Sequence, residues 1–184
     1  MKKNIRIHIG GFYASKKPAV IETLLGSCVA VCLYDPVSRI GGLNHILLPG
    51  RADLKHFDTA TRYGINAMEL LLNRLMKLGG LRRNFVAKVF GGAHILPTIS
   101  PENGMGSKNA EFVLEFLRME TIEVVSQDTG GCDTRRIYFH TDTGDVFLKR
   151  ISSSRQPTIS LEERRLLEVV RRKARKPGEV TLFD

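Results

Sequence analysis

The stretch T23-LLGSCVAVCLYDPVSRIGGLNHILL-P49 sets two apolar runs around the turn-forming Asp35-Pro36-Val37-Ser38. Aspartate opening a type I turn and proline at its second position both favour a hairpin, with strands over about 28–34 and 42–48. The first run begins on Gly26-Ser27-Cys28 and the second carries Asn44-His45 in its middle. A hydrophobic hairpin needs neither a thiol nor an imidazole at those places. If Asp35 pairs with Ser38, the ladder sets Cys28 directly opposite His45, with Cβ atoms roughly 4.5–5.5 Å apart on one face. A three- or five-residue loop, or a bulge at Gly41-Gly42, would shift that register by one and put the two side chains on opposite faces.

The pairing has a chemical consequence. A free thiol, with a pKa of ~8.5, is mostly protonated at neutral pH. An adjacent imidazole can take that proton and release the thiolate that attacks carbonyl carbon. Gly26 allows the sharp bend and the close approach of substrate. The Cys28 backbone N–H and the Ser27 hydroxyl are candidate donors to the developing oxyanion. A third group should hold the far imidazole nitrogen, and Glu22, Thr23 and Asn44 are the nearby candidates. Against this stands the plain reading of cysteine as a small core residue. Cys32, inside an apolar strand, is read as core, and its spacing of ~13 Å from Cys28 argues against a shared metal. His8, His56, His94 and His140 have no partner visible in sequence.

Working outward, residues 4–9 and 20–25 alternate as strands. Asp58 is a fitting N-cap for a helix from Thr59 to Leu78 that ends at Gly79-Gly80. On it Tyr63, Ala67, Leu71, Leu75 and Leu78 recur at helical spacing and should face the core. A strand over 84–93, a loop "SPENGMGSK", a helix over Asn109–Met119 and three further strands follow, the last two joined at Thr143-Gly144. Strands outnumber helices and several are hairpin neighbours, so the fold class is α+β, with a mixed or largely antiparallel sheet. From about residue 153 the composition changes to a linker and a basic helix with a Ser160–Glu163 capping-box spacing. The expected division is therefore a domain over 1–152 and a tail over 153–184.

The 184 residues are 42% hydrophobic and 26% charged, ordinary globular values. Three cysteines do not make a disulfide framework and fit a reducing compartment. No apolar run reaches the ~20 residues a membrane-spanning helix needs. "MKKNIRIHIGGF" alternates where a signal peptide would be continuously apolar. A cytoplasmic protein without membrane insertion is expected. The net charge of +9 and pI near 9.7 raise nucleic acid as a partner. The chain carries no recognised motif with interleaved aromatics, however, so no nucleic acid is expected.

"LLGSCVAVCLYDP", "GGLNHILLP", "VFGGAH", "GSKNAEFVLEFL" and "QDTGGCDTRRIYFHTDTGDVFLK", in that order over roughly residues 4 to 151, resemble the CheD family of chemoreceptor glutamine deamidases. The resemblance implies a cysteine hydrolase that converts glutamine side chains of methyl-accepting chemotaxis proteins to glutamate and releases ammonia. Cys28 would be the nucleophile and His45 the general base and acid, with no metal or organic cofactor. It also implies layered mixed sheets with helices packed outside, similar to CNF-like glutamine-deamidating toxins. The family pattern has a threonine six residues before the cysteine as third catalytic member; here that position is Glu22, and Thr23 lies five before. Glu22 substitutes, Thr23 takes over through a local shift, or the third member is dispensable. The resemblance further implies a possible partner, the CheC phosphatase, and with it an adaptor role as the main alternative to catalysis. Receptor glutamate methylesterase action is a lesser alternative, since a thiolate serves either leaving group. Cys132 and Asp133 stand in a loop with no assigned role, and Arg135 and Arg136 are candidates either to anchor that loop or to contact substrate.

Overall fold

A computed structural model describes residues 2–56, 58–94 and 104–152, together with the exposed helical positions Arg165, Glu168, Val169 and Arg172. The linker expected after residue 152 and the Ser160–Glu163 capping box lie outside the described residues.

Among the described residues, nine strands form two sheets. β1 (Lys3–Arg6), β3 (Ala19–Leu25), β8 (Thr134–His140) and β9 (Val146–Ile151) make one, in the order β1-β3-β8-β9. The other is β2-β5-β4-β6-β7, from β2 (Phe12–Ser15), β4 (Val29–Asp35), β5 (Ile40–Ile46), β6 (Val86–Gly91) and β7 (Glu123–Thr129). Both are mixed, because β1/β3 and β6/β7 pair in parallel while the other neighbours are antiparallel. Helices α1 (Thr59–Lys77) and α2 (Met105–Met119) complete the α+β architecture.

The layering follows from which strands can tolerate water. β3 alternates buried and half-buried, so only its Ala19, Ile21, Thr23 and Leu25 face inward. β4 and β5 are buried almost throughout. Such continuous apolar runs suit strands covered on both faces. One face of the five-stranded sheet meets the four-stranded sheet through Ala30, Cys32, Leu43, Ile21, Leu25 and Phe139. The opposite face packs Val31, Leu33 and Ile46 against Met68, Leu71 and Phe116 of the two helices. The result is three layers, sheet on sheet on helices.

The hairpin register differs from the expected one by two residues. Asp35 pairs with Ile40, not Ser38, and His45 therefore lies opposite Ala30. The Asp35 carboxylate accepts from the backbone N–H groups of Val37 and Ser38, as expected of a type I turn. The turn then runs one residue further, through Arg39 at φ +54°, before the strands close. An even shift preserves the face, so Cys28, just before β4, remains on the inter-sheet side. Gly41-Gly42 is not bulged.

Four other differences have local causes. The short strand β2 went unread because only Ala14 of its four residues is buried. β1 stops at Arg6, where the chain leaves one sheet to enter the other. β6 stops at Gly91, since Gly91 and Gly92 both have positive φ and turn the chain out of the ladder. α2 begins four residues before Asn109, inside a glycine-rich segment that reads as loop. Gly106 there is required by packing: a Cβ on it would sit 2.4 Å from the Gly92 carbonyl oxygen. α1 is as read, with Asp58 capping the Thr61 N–H, although Tyr63, Ala67 and Leu78 are only half-buried.

Candidate active site

β3 and β5 belong to different sheets, and their inward faces meet between the layers. There the Thr23 hydroxyl oxygen lies 2.8 Å from His45 Nδ1. The same hydroxyl donates to the Ile7 carbonyl at 3.0 Å. A hydroxyl has one proton, so toward His45 the Thr23 oxygen accepts, and Nδ1 carries the imidazole hydrogen. Nε2 is left with its lone pair. Among the described residues it is the buried side-chain nitrogen or oxygen that has no hydrogen-bond partner. Burial, with a smaller contribution from nearby His8, lowers the His45 pKa from 6.5 to about 3. The resting imidazole is neutral and able to accept a proton.

Glu22 is not part of this arrangement. Its side chain is on the outer face of the four-stranded sheet, bonded to Arg6 and Arg136. Asn44 also points away from the thiol: its amide donates to the Ala67 carbonyl of α1 and accepts from the Val31 N–H.

Cys28 is fully buried, 0% exposed, at the bend that precedes β4. The bend is fixed by its carbonyls. Gly26 O accepts from Ala93 N at 2.8 Å, Cys28 O from Gly92 N at 2.7 Å, and Ser27 O from the Asn109 side-chain amide at 2.9 Å. Asn109 also accepts from Leu48 N, two residues beyond β5. One carboxamide of α2 thus ties the thiol's bend to the strand that carries His45. Sequence reading took Asn109 only as a helix start; the available signal was a polar residue on the buried stripe of Gly106, Ala110 and Val113.

A second loop braces the first. Gly130 N donates to Gly91 O and His94 N to Gly131 O. The buried Arg135 guanidinium pins this turn, bonding Asp128 and the carbonyls of Gly130 and Asp133. Arg135 is therefore a loop anchor, and Arg136 pairs with Glu22. Cys132 is exposed at the turn's tip, while burial pushes the Cys32 thiol well up, as befits a core residue.

A shallow cleft of about 90 Å³ opens over His45 between Gly10-Gly11-Phe12 and the α1 residues Tyr63, Asn66 and Leu70. Cys28 does not line it.

Residues 47–150 match the family model described as CheD chemotactic sensory transduction. The chain belongs to the CheD family. A probable chemoreceptor glutamine deamidase CheD 1 of Shewanella oneidensis is 45% identical, over 84% of this chain and 76% of the relative. Proteins named probable chemoreceptor glutamine deamidase CheD from Vibrio vulnificus and Thiobacillus denitrificans are 41% and 42% identical. Those matches cover 97% and 95% of this CheD-family chain and 86% of each relative. Among its described residues no helix is long and apolar enough to cross a membrane.

Proposed function

We propose that this chain is a protein-glutamine deamidase acting in the cytoplasm on methyl-accepting chemotaxis receptors, with residues 1–152 as the working domain. Cys28 is the nucleophile, His45 the general base and acid, and Thr23 the group that orients the imidazole. The observation that carries the reading is the buried, unpartnered Nε2 of a neutral imidazole, held by Thr23 on the sheet face that Cys28 shares. The relatives' names and the layered α+β architecture support it.

In this mechanism Nε2 takes the thiol proton. The resulting thiolate and imidazolium attract each other, which offsets the cost of placing charge in a buried site. The thiolate attacks the glutamine carbonyl carbon and the C=O π pair moves to oxygen. Cys28's backbone N–H is the donor assigned to that oxyanion, with Ser27 and Gly26 shaping the bend. Collapse breaks the C–N bond, and His45 protonates the leaving nitrogen as ammonia. Water, deprotonated by His45, then cleaves the thioester to glutamate and regenerates the thiol.

The complete burial of Cys28 favours one second reading, an adaptor that regulates the CheC phosphatase with little or no catalysis. Mass spectrometry of a chemoreceptor cytoplasmic fragment incubated with wild-type and Cys28→Ala protein separates the two. The deamidase reading expects the amide-to-acid mass change with wild type only. An equal change with both proteins, or with neither, overturns it.

A further inference from the structure

We infer that Asn109 is a positioning residue for the reaction: its side-chain carboxamide takes the place of a strand rung and so sets Cys28 relative to His45. This rests on the deamidase reading above.

The hairpin ladder does not itself place the thiol. The ladder closes at Val29 opposite Ile46, where β4 begins. His45 lies opposite Ala30, and Cys28 stands two residues before Ala30, ~7 Å away along an extended chain. The bend that precedes Val29 therefore decides where the sulfur sits relative to Nε2.

Continued in the same register, Ser27 would face Leu48. These two residues are joined through Asn109. Its Nδ2 donates to the Ser27 carbonyl at 2.9 Å, and its Oδ1 accepts from the Leu48 N–H at 3.0 Å. A carboxamide carries the donor and the acceptor of a backbone amide, so it serves as a rung inserted between two parted strands. Helix α2 can deliver it because Gly106, one turn earlier on the same face, lets the helix close on Gly92. Gly92 N and Ala93 N hold the Cys28 and Gly26 carbonyls on either side. Of these three bonds, the one from Asn109 continues to the strand of His45. The Ser27–Cys28 peptide is trans and planar. Fixing the Ser27 carbonyl thus also fixes the direction of the Cys28 N–H, the donor assigned to the oxyanion. Asn109 is fully buried and lines no part of the cleft, so it does not touch substrate, and its effect belongs to kcat.

Asn109→Ala installs the best helix former and overpacks nothing. Asn109→Asp keeps the shape and the acceptor for Leu48 N–H but, ionised, has no hydrogen for Ser27. Val113→Ala, one turn further on in the helix-side core, lowers stability without touching either bond. Ammonia release from a chemoreceptor cytoplasmic fragment is measured below all the unfolding midpoints. Both Asn109 variants should lose kcat roughly a hundredfold, the scale of a ~1 Å misplacement, at wild-type KM. Val113→Ala should keep the wild-type kcat. Three results overturn the inference while leaving the deamidase reading intact: an Asn109 variant with the kcat of Val113→Ala, a loss confined to KM, or an Asn109→Ala chain that does not fold. Undiminished ammonia release by Cys28→Ala would instead remove that reading, and the inference with it.

Discussion

Thr23 has one hydroxyl proton and gives it to the Ile7 carbonyl, so only lone pairs face His45. Replacing it with valine keeps the volume but strands the Nδ1–H and the Ile7 carbonyl in a buried place. The imidazole then loses the bond that fixes its tautomer and ring angle. For the proposed deamidase, Thr23→Val is expected to lower kcat by about 10², on the scale of lost general acid–base assistance. Thr23→Ser, which restores the hydroxyl, should recover most of it. Steady-state ammonia release from a receptor fragment tests both, and equal rates for Val and Ser would show that the hydroxyl does not matter. The choice between Glu22 and Thr23 could not be read from sequence parity. Parity carries over only within one sheet, and the bend after β3 delivers the chain from one sheet to the other. Cys28 and His45 stood out in the sequence because both residue types are out of place in an apolar hairpin. The register expected between them was not legible, since the turn runs on through Arg39 and sets His45 opposite Ala30.

At the scale of elements, the β4–β5 hairpin depends on Asp35, which is fully buried and charged. Burial raises its pKa, but the N–H groups of Ser38, Leu81 and Val37 outweigh that and hold it below 3.8. The same carboxylate thus shapes the hairpin turn and ties it to the segment after α1. Asp35→Ala would leave those three N–H groups unsatisfied, and should cost about 3 kcal/mol, the upper range for hydrogen bonds to a charged group. Chemical denaturation measures it; a loss no larger than that of an exposed surface substitution would contradict this account. Long elements such as α1 and β4 were readable because one pattern persists over many residues, helical spacing in α1 and an unbroken apolar run in β4. β2, the early start of α2 and the loop pinned by Arg135 were not. Their stability comes from contacts distant in sequence: pairing with Gly41–Asn44, the approach of Gly106 to Gly92, and the Arg135–Asp128 bond.

For the whole molecule, the location of the site between two sheets makes stability answer to pH through His45. The unfolded chain protonates this imidazole near 6.5, whereas burial keeps the folded one neutral down to about 3. Between those values the unfolded state binds more protons, so stability falls as the pH falls. The depressed carboxyls of Asp35, Asp128 and Asp142 act elsewhere on the scale, since their contributions are lost only as the pH drops below the ordinary 3.8. Between pH 6.5 and 3.8 the loss attributable to His45 should therefore stand apart. His45→Gln has no proton to take up in that window, and the other four histidines are common to both proteins. Urea midpoints measured across this range should decline more steeply for wild type than for His45→Gln. Parallel curves would mean that water reaches the imidazole in the folded protein, and that the layers do not isolate it.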